Sequence, residues 1–299
     1  MKSEEGSAKF FIPLSSFFIS FPIFAESTTS LMQNLNFYIS LGDFAKNWKG
    51  EPGTFTIHLQ DLCIRAAERG ETIYGLKLLK EAFQLYESHV DVKPGKRKAS
   101  IPFFRDNQAR LIGPEMGLFV QSLYEKQDIV PDYVAKSTEP WLRITLDYAQ
   151  LADYCLSNDL YLIRCKYNRD KNIQVLAERV AMEYDNIYYT KNEVGFKPES
   201  RFFSILYNAI LEMENPRYAT KNPEWRLIIL LPPEEAEYKY ENGKLQSYLE
   251  LDLPTTSILD IQLLPDIHTQ IGNYTNLVGL LKKMGVKAEE VVKEMKEEE

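Results

Sequence analysis

KNPEWRLIILLPPE, residues 221–234, sets a charged pair at the mouth of an apolar run and places a tryptophan between the two charges. The run is almost wholly apolar and has the length of a buried strand. In a strand, residues two apart share a face. Trp225, Leu227, Ile229 and Leu231 then line one side, and Glu224, Arg226, Ile228 and Leu230 the other. Burying the first four is worth on the order of 6–12 kcal/mol before chain entropy is charged. The second side is polar only at its start, so the strand belongs in the middle of a sheet, with one end opening to a cleft or to water. A carboxylate and a guanidinium two residues apart can pin the strand to a neighbour or hold a ligand jointly. Both readings stay open at this point.

The elements on either side extend the sheet. AEYKYENGKLQSYLELDLP, residues 236–254, reads as a hairpin turning at Asn242-Gly243, with Leu249, Leu251 and Leu253 on one face. SILDIQLLP is a further strand, and a helix over 269–284 stops at Gly285. Upstream, GLFVQSLYE, PWLRITLD and LYLIRCKYN read as strands. Asp147 opens a short helix between the second and third, and helices follow over 171–188 and 199–213. Nearer the start, apolar spacing predicts helices over 27–48, with Leu31, Leu35, Tyr38 and Ile39 on one face, and over 57–69 and 71–90. The expectation is one α+β domain over 1–299. It has a helical N-terminal third followed by a mixed, largely antiparallel sheet flanked by helices. Within it, 27–92 is a helical subregion, 93–116 a loop, 117–285 the sheet with its helices, and 286–299 a charged helical tail.

Composition narrows the function classes. The 299 residues carry a formal net charge of -8, which disfavours a general nucleic-acid or anionic-membrane binder. Lys93, Lys96, Arg97 and Lys98 could touch phosphate, but no aromatic residues interleave them, so they read as a solvated connector. Cys63, Cys155 and Cys165 are scattered and odd in number, without a C-x-x-C pair, and His58, His89 and His268 lie far apart. Together these point to a reducing compartment and to no metal site. Residues 1–25 resemble an export signal in their apolar run, but Glu4, Glu5, Pro13 and Pro22 interrupt that pattern, so a cytoplasmic chain is expected, with export through residues 1–25 as the alternative. The run is too short and broken for a membrane span. Phosphate-loop, dinucleotide-binding, serine-hydrolase and EF-hand spacings do not occur in the sequence.

Several of these stretches together resemble a bacterial family known only as domain of unknown function 2971. Glu224, Trp225 and Arg226 match its E-x-E-W-R-like strand. Ile258, Ile261 and Pro265 match a later strand, with Leu264 where the family has Gly. Ser122, Asp128 and Tyr133 match an earlier segment, although Pro131 stands where a tryptophan is expected and Gln121 and Leu123 replace Cys and Phe. FFISFPIFAE is similar to the family's opening strand, with Ala25, Glu26, Ser27 and Thr28 in place of its acidic portion. The likeness covers residues 117–285 and a trace near 17–26.

The resemblance implies a bacterial cytoplasmic protein, an interaction or defence-associated domain with a protein partner. It also implies an alternative, an NAD-dependent ADP-ribosyltransferase-like enzyme. There Glu224 would hold the ribose and steady the oxocarbenium-like transition state, Ser122 would support the ribose, and Arg226 would meet a phosphate of the cofactor NAD.

Overall fold

The computed structural model describes residues 34–61, 71–89, 117–190, 209, 211–214, 222–231, 233–241, 243–264, 271–288 and 292. Among them, β1 (Asn34–Ser40) runs directly into helix α1 (Leu41–Asn47), which leads to β2 (Thr54–Asp61) and α2 (Glu71–His89). Then come β3 (Gly117–Tyr124), the single turn α3 (Asp132–Ala135), β4 (Trp141–Asp147), α4 (Tyr148–Ser157), β5 (Tyr161–Arg164) and α5 (Arg169–Thr190). The last elements are β6 (Glu224–Leu231), β7 (Glu237–Glu241), β8 (Lys244–Pro254), β9 (Ile258–Leu264) and α6 (Ile271–Lys283).

The strands form one nine-stranded sheet rooted on β3. Along one edge of β3 lies β6 at full length, from Gly117↔Leu231 to Tyr124↔Glu224, with β5 beyond it. The other edge is divided. At Phe119 and Val120 it holds β2, which carries β8 and β7. At Tyr124 it holds β1, which carries β4 and β9. The sheet therefore forks into two wings and curls like half a barrel.

Two sequence expectations fail here. The first third is not helical: β1 and β2 lie within 27–92, and the first described helix follows a strand. Nor is the sheet mixed, because every described pairing between named strands is antiparallel. The reason is visible in β1. Leu35, Phe37 and Ile39 face the main core, while Asn36, Tyr38 and Ser40 are buried on the opposite face. A strand covered on both sides fills nearly every position, so Leu35, Tyr38 and Ile39 satisfy a helical spacing by accident. In β2, Phe55, Ile57 and Leu59 alternate with Thr56, His58 and Gln60, and the span 57–69 contains only the end of that alternation. Residues 62–69 lie outside the described residues, as do the loop over 93–116, the apolar N-terminal stretch and most of the charged tail.

Other expectations hold. Helix α2 matches 71–90, and α4 starts at Asp147, whose side chain accepts the Gln150 N–H at 2.9 Å. The hairpin β7–β8 turns where Asn-Gly predicts, with Gly243 at φ 77°. Helix α6 ends at Lys283, and the chain turns away at Gly285, also at φ 77°, a conformation that favours glycine. There the Gly285 N–H donates to the Lys282 carbonyl at 3.2 Å and the Val286 N–H to the Leu281 carbonyl at 3.0 Å.

Two principal cores result. The first fills the curl: Leu35, Phe37, Phe55, Ile57, Leu142, Ile144, Leu227 and Leu253 meet Leu151 and Cys155 of α4 and Leu277 and Leu281 of α6. The second lies across the sheet. Leu79 and Phe83 of α2 and Leu176 and Val180 of α5 cover Leu118, Val120 and Ile228 there. β6 thus has a packed layer on each face.

Candidate functional site

Ser122, Glu224 and Arg226 meet on the helix-covered face. Ser122 pairs directly across the ladder with Arg226, and Glu224 lies one step along, so the three side chains emerge on the same side. The Ser122 hydroxyl donates to Glu224 Oε1 at 2.5 Å, and Arg226 Nε donates to the same oxygen at 3.3 Å. The remaining Arg226 donors turn away from the strand. Nη2 bonds Glu214, and Nη1 donates to the Leu211 carbonyl at 3.2 Å. The guanidinium is 0% exposed and is the largest fully buried side chain described; Glu224 is 3% exposed. Its planar fork suits this place, since it presents donors in several directions from a single buried cation.

The surroundings hold the backbone of Glu224 as firmly as its side chain. Its N–H donates to the Tyr167 hydroxyl at 3.1 Å, and its carbonyl accepts the Cys165 N–H at 2.9 Å. Burial pushes the Tyr167 hydroxyl far above the usual phenol range, with the nearby Cys165 and Glu224 acting in the same direction. That phenol therefore stays protonated and neutral at any ordinary pH. Glu212, next to the cluster, accepts from Lys166 Nζ at 2.8 Å and from Arg179 Nη2 at 3.5 Å. The segment 211–214 is thus tied to β6 through Arg226 and to α5 through Arg179. Its backbone joins in: the Lys166 N–H donates to the Glu212 carbonyl at 2.6 Å, and the Glu214 N–H to the Lys166 carbonyl at 3.1 Å.

The polar surface continues along this face toward the second wing. Asn222 Nδ2 donates to the carbonyls of Lys126 and Ile129 at 2.8 and 2.9 Å, and its Oδ1 accepts the Lys126 N–H at 2.7 Å. One side chain thereby secures the segment leaving β3. Asn36 donates to the Tyr124 carbonyl at 3.0 Å and accepts from Thr145 Oγ1 at 3.0 Å. Arg143 Nη1 donates to the Gln127 carbonyl at 2.8 Å, and Nη2 pairs with Asp260 at 3.4 Å. The buried amides of Asn222 and Asn36, satisfied in this way, favour one arrangement of strands and straps.

The residues singled out from sequence are therefore brought together. The cleft expected at their end of β6 is, in the structure, occupied by the 211–214 segment. Sequence reasoning missed Glu214, Glu212, Tyr167 and Asn222. The signal for the first two was present in LEMENP, where carboxylates flank Met213 at a two-residue interval inside an apolar stretch. Nothing in the sequence marked Asn222 or Tyr167 as distinct from other polar residues near strand ends. Asp128, matched by resemblance, influences the buried Tyr38 hydroxyl, whose pKa is raised mainly by burial. Tyr133 stacks edge-on against Trp141 with ring centroids 5.6 Å apart.

Cys155 and Cys165 are buried, and burial raises the Cys155 thiol to about 12, which makes it an inert core group. Cys63, His268 and Lys93–Lys98 lie outside the described residues. Among the described residues no group of three or more His, Cys, Asp or Glu could hold a metal ion. No described helix is long and apolar enough to cross a membrane. No protein-family model matches the chain, and neither does any curated protein or solved structure.

Proposed function

We propose that this chain is an interaction domain of a bacterial cytoplasmic protein, and that the Ser122–Glu224–Arg226 cluster serves the fold by locking the 211–214 segment onto the sheet. One observation carries this reading. Glu224, the carboxylate that any chemistry at this place would need, is buried and already engaged by Ser122 and Arg226. The Arg226 guanidinium, which would have to receive a phosphate, is surrounded by two carboxylates and a carbonyl. A transition-state stabiliser must be aimed at space that a substrate can occupy. The bacterial and cytoplasmic parts of the proposal rest on the resemblance to domain of unknown function 2971 at Glu224, Trp225, Arg226 and Ser122, and on the odd number and scattered spacing of the cysteines in the sequence.

The alternative, an NAD-dependent ADP-ribosyltransferase-like enzyme, is favoured by one contact, the 2.5 Å bond that sets Ser122 beside Glu224. It requires the cover over 211–214 to withdraw so that a ribose can reach the carboxylate. NAD hydrolysis and protein-labelling assays on the wild type and on Glu224→Gln separate the two. The interaction-domain reading expects both proteins at the level of the blank. Turnover by the wild type that disappears in Glu224→Gln overturns it.

A further inference from the structure

The segment 125–137, which leaves β3, lies as a strap over one face of the β1–β4–β9 wing. Asn222 secures its start at Lys126 and Ile129. The Gln127 carbonyl accepts Arg143 Nη1, and Gln127 Nε2 donates to Thr145 Oγ1 at 3.3 Å. Val130 and Val134 pack with Tyr38 and Trp141. Beneath the strap, Tyr38 of β1 stands directly opposite Arg143 of β4, so the two side chains leave the sheet together. Trp141, two residues before Arg143, shares that face.

Among the described residues, three donors on this face are sealed from solvent without a protein acceptor: Tyr38 Oη, Arg143 Nε and Trp141 Nε1. Trp141 meets the Tyr133 ring with the planes 67° apart, an arrangement in which an N–H can rest on a π-face. Tyr38 and Arg143 make the sharper case. The tyrosine is 3% exposed, burial raises its pKa, and its hydroxyl therefore keeps the proton it has to donate. It lies opposite the guanidinium, yet the two do not bond each other. Buried donors in native proteins are paired with protein or with ordered water.

The partner these donors need must accept from both and fit between strap and sheet. Charge argues against an anion, because Arg143 Nη2 already faces Asp260 at 3.4 Å and Asp128 acts on Tyr38. A neutral oxygen fits, and water has the right balance, since it accepts two hydrogen bonds and donates two. The Asp260 carboxylate beside Arg143 is an acceptor for the onward bond.

We propose that this wing has a built-in site for one sealed water molecule, which accepts from Tyr38 Oη and Arg143 Nε and donates to Asp260. The water joins β1, β4 and β9 at the place where the strap crosses them. This goes beyond the interaction-domain reading and does not depend on it.

A high-resolution crystal structure of the wild type tests the site. Ordered solvent is expected within hydrogen-bond reach of both Tyr38 Oη and Arg143 Nε. In Tyr38→Phe its occupancy should fall about twofold or more, because one of its two donors is gone. In solution, the Arg143 Nε–H should show a nuclear Overhauser effect to water with the sign of a long-lived contact, weaker in Tyr38→Phe. Solvent density that is unchanged in Tyr38→Phe overturns the bridge. So does a wild type whose Tyr38 hydroxyl bonds a protein group or turns onto the Tyr124 ring, or whose Arg143 Nε–H meets only short-lived water. If Tyr38→Phe does not fold, the two wild-type measurements decide the matter by themselves.

Discussion

Arg226 and Leu227 are neighbours on β6, and both are wholly buried, yet they are buried by opposite means. Leu227 faces the first core among Phe119, Leu123 and other hydrocarbon side chains. Arg226 faces the helix layer, where Glu214, Glu224 and the Leu211 carbonyl hold its donors. The apolar side gains free energy from burial itself and tolerates reshuffling of similar volumes. The charged side loses several kcal/mol per ion to desolvation and recovers it only if every partner stays in place. The first side makes the sheet stable. The second determines which segment may lie on it, because only a chain bringing a carboxylate and a free carbonyl to the right place satisfies the guanidinium. This role in specificity, rather than a net gain in stability, is what the comparison teaches.

The contrast can be broken most sharply at Arg226. Replacing it with alanine leaves Glu214 and Glu224 buried without their cation, and an expected loss of about 3–5 kcal/mol should appear as a fall in the urea midpoint. If the cluster specifies more than it stabilises, the combined change Arg226→Met, Glu214→Leu and Glu224→Leu should restore wild-type stability or exceed it by about 1–4 kcal/mol. A triple variant as unstable as Arg226→Ala would mean that the ion pairs themselves hold the fold. On the other side, Leu227→Ala opens a cavity in the first core and should cost about 2–4 kcal/mol by the same measurement, with no polar substitution able to rescue it.

The smallest effect sharpens what the two sides share. Burial raises Tyr167 beside the cluster, and it raises Cys155 in the first core to about 12. In both cases the folded state keeps a proton that the unfolded chain releases near pH 10 for tyrosine and near pH 8.5–9 for cysteine. Stability contributed by these neutral groups is complete below the unfolded values. It should decline as pH rises above them, since the native state then binds more protons than the unfolded one. Denaturation midpoints taken from pH 8 upward should fall accordingly, and Tyr167→Phe should flatten the upper part of the curve at the cost of the Glu224 N–H acceptor.

How far the sequence was legible follows from which faces are wet. Where one side of an element meets solvent, as in α2, the hairpin β7–β8 and α6, periodicity and turn residues placed it correctly. Where both sides are covered, as in β1, period 2 and period 3.6 could not be told apart, and a strand was read as a helix. The same double coverage hid the surroundings of Glu224. Its polarity was plain, its closeness to Ser122 was inferred, and the carboxylate of Glu214 twelve residues upstream of Arg226 was not.

The amino-acid order alone set the strand over 224–231, its apolar and charged faces, the Asn-Gly turn and the glycine stop at 285, because each depends on neighbours a few residues apart. Only the tertiary structure decided that the wings divide on β3, that Arg226 lies under a helix layer instead of at a cleft, and that Glu214 shares it with Glu224. Those outcomes depend on which distant segment covers a face, and a buried charge carries no mark in the sequence of the partner that will neutralise it.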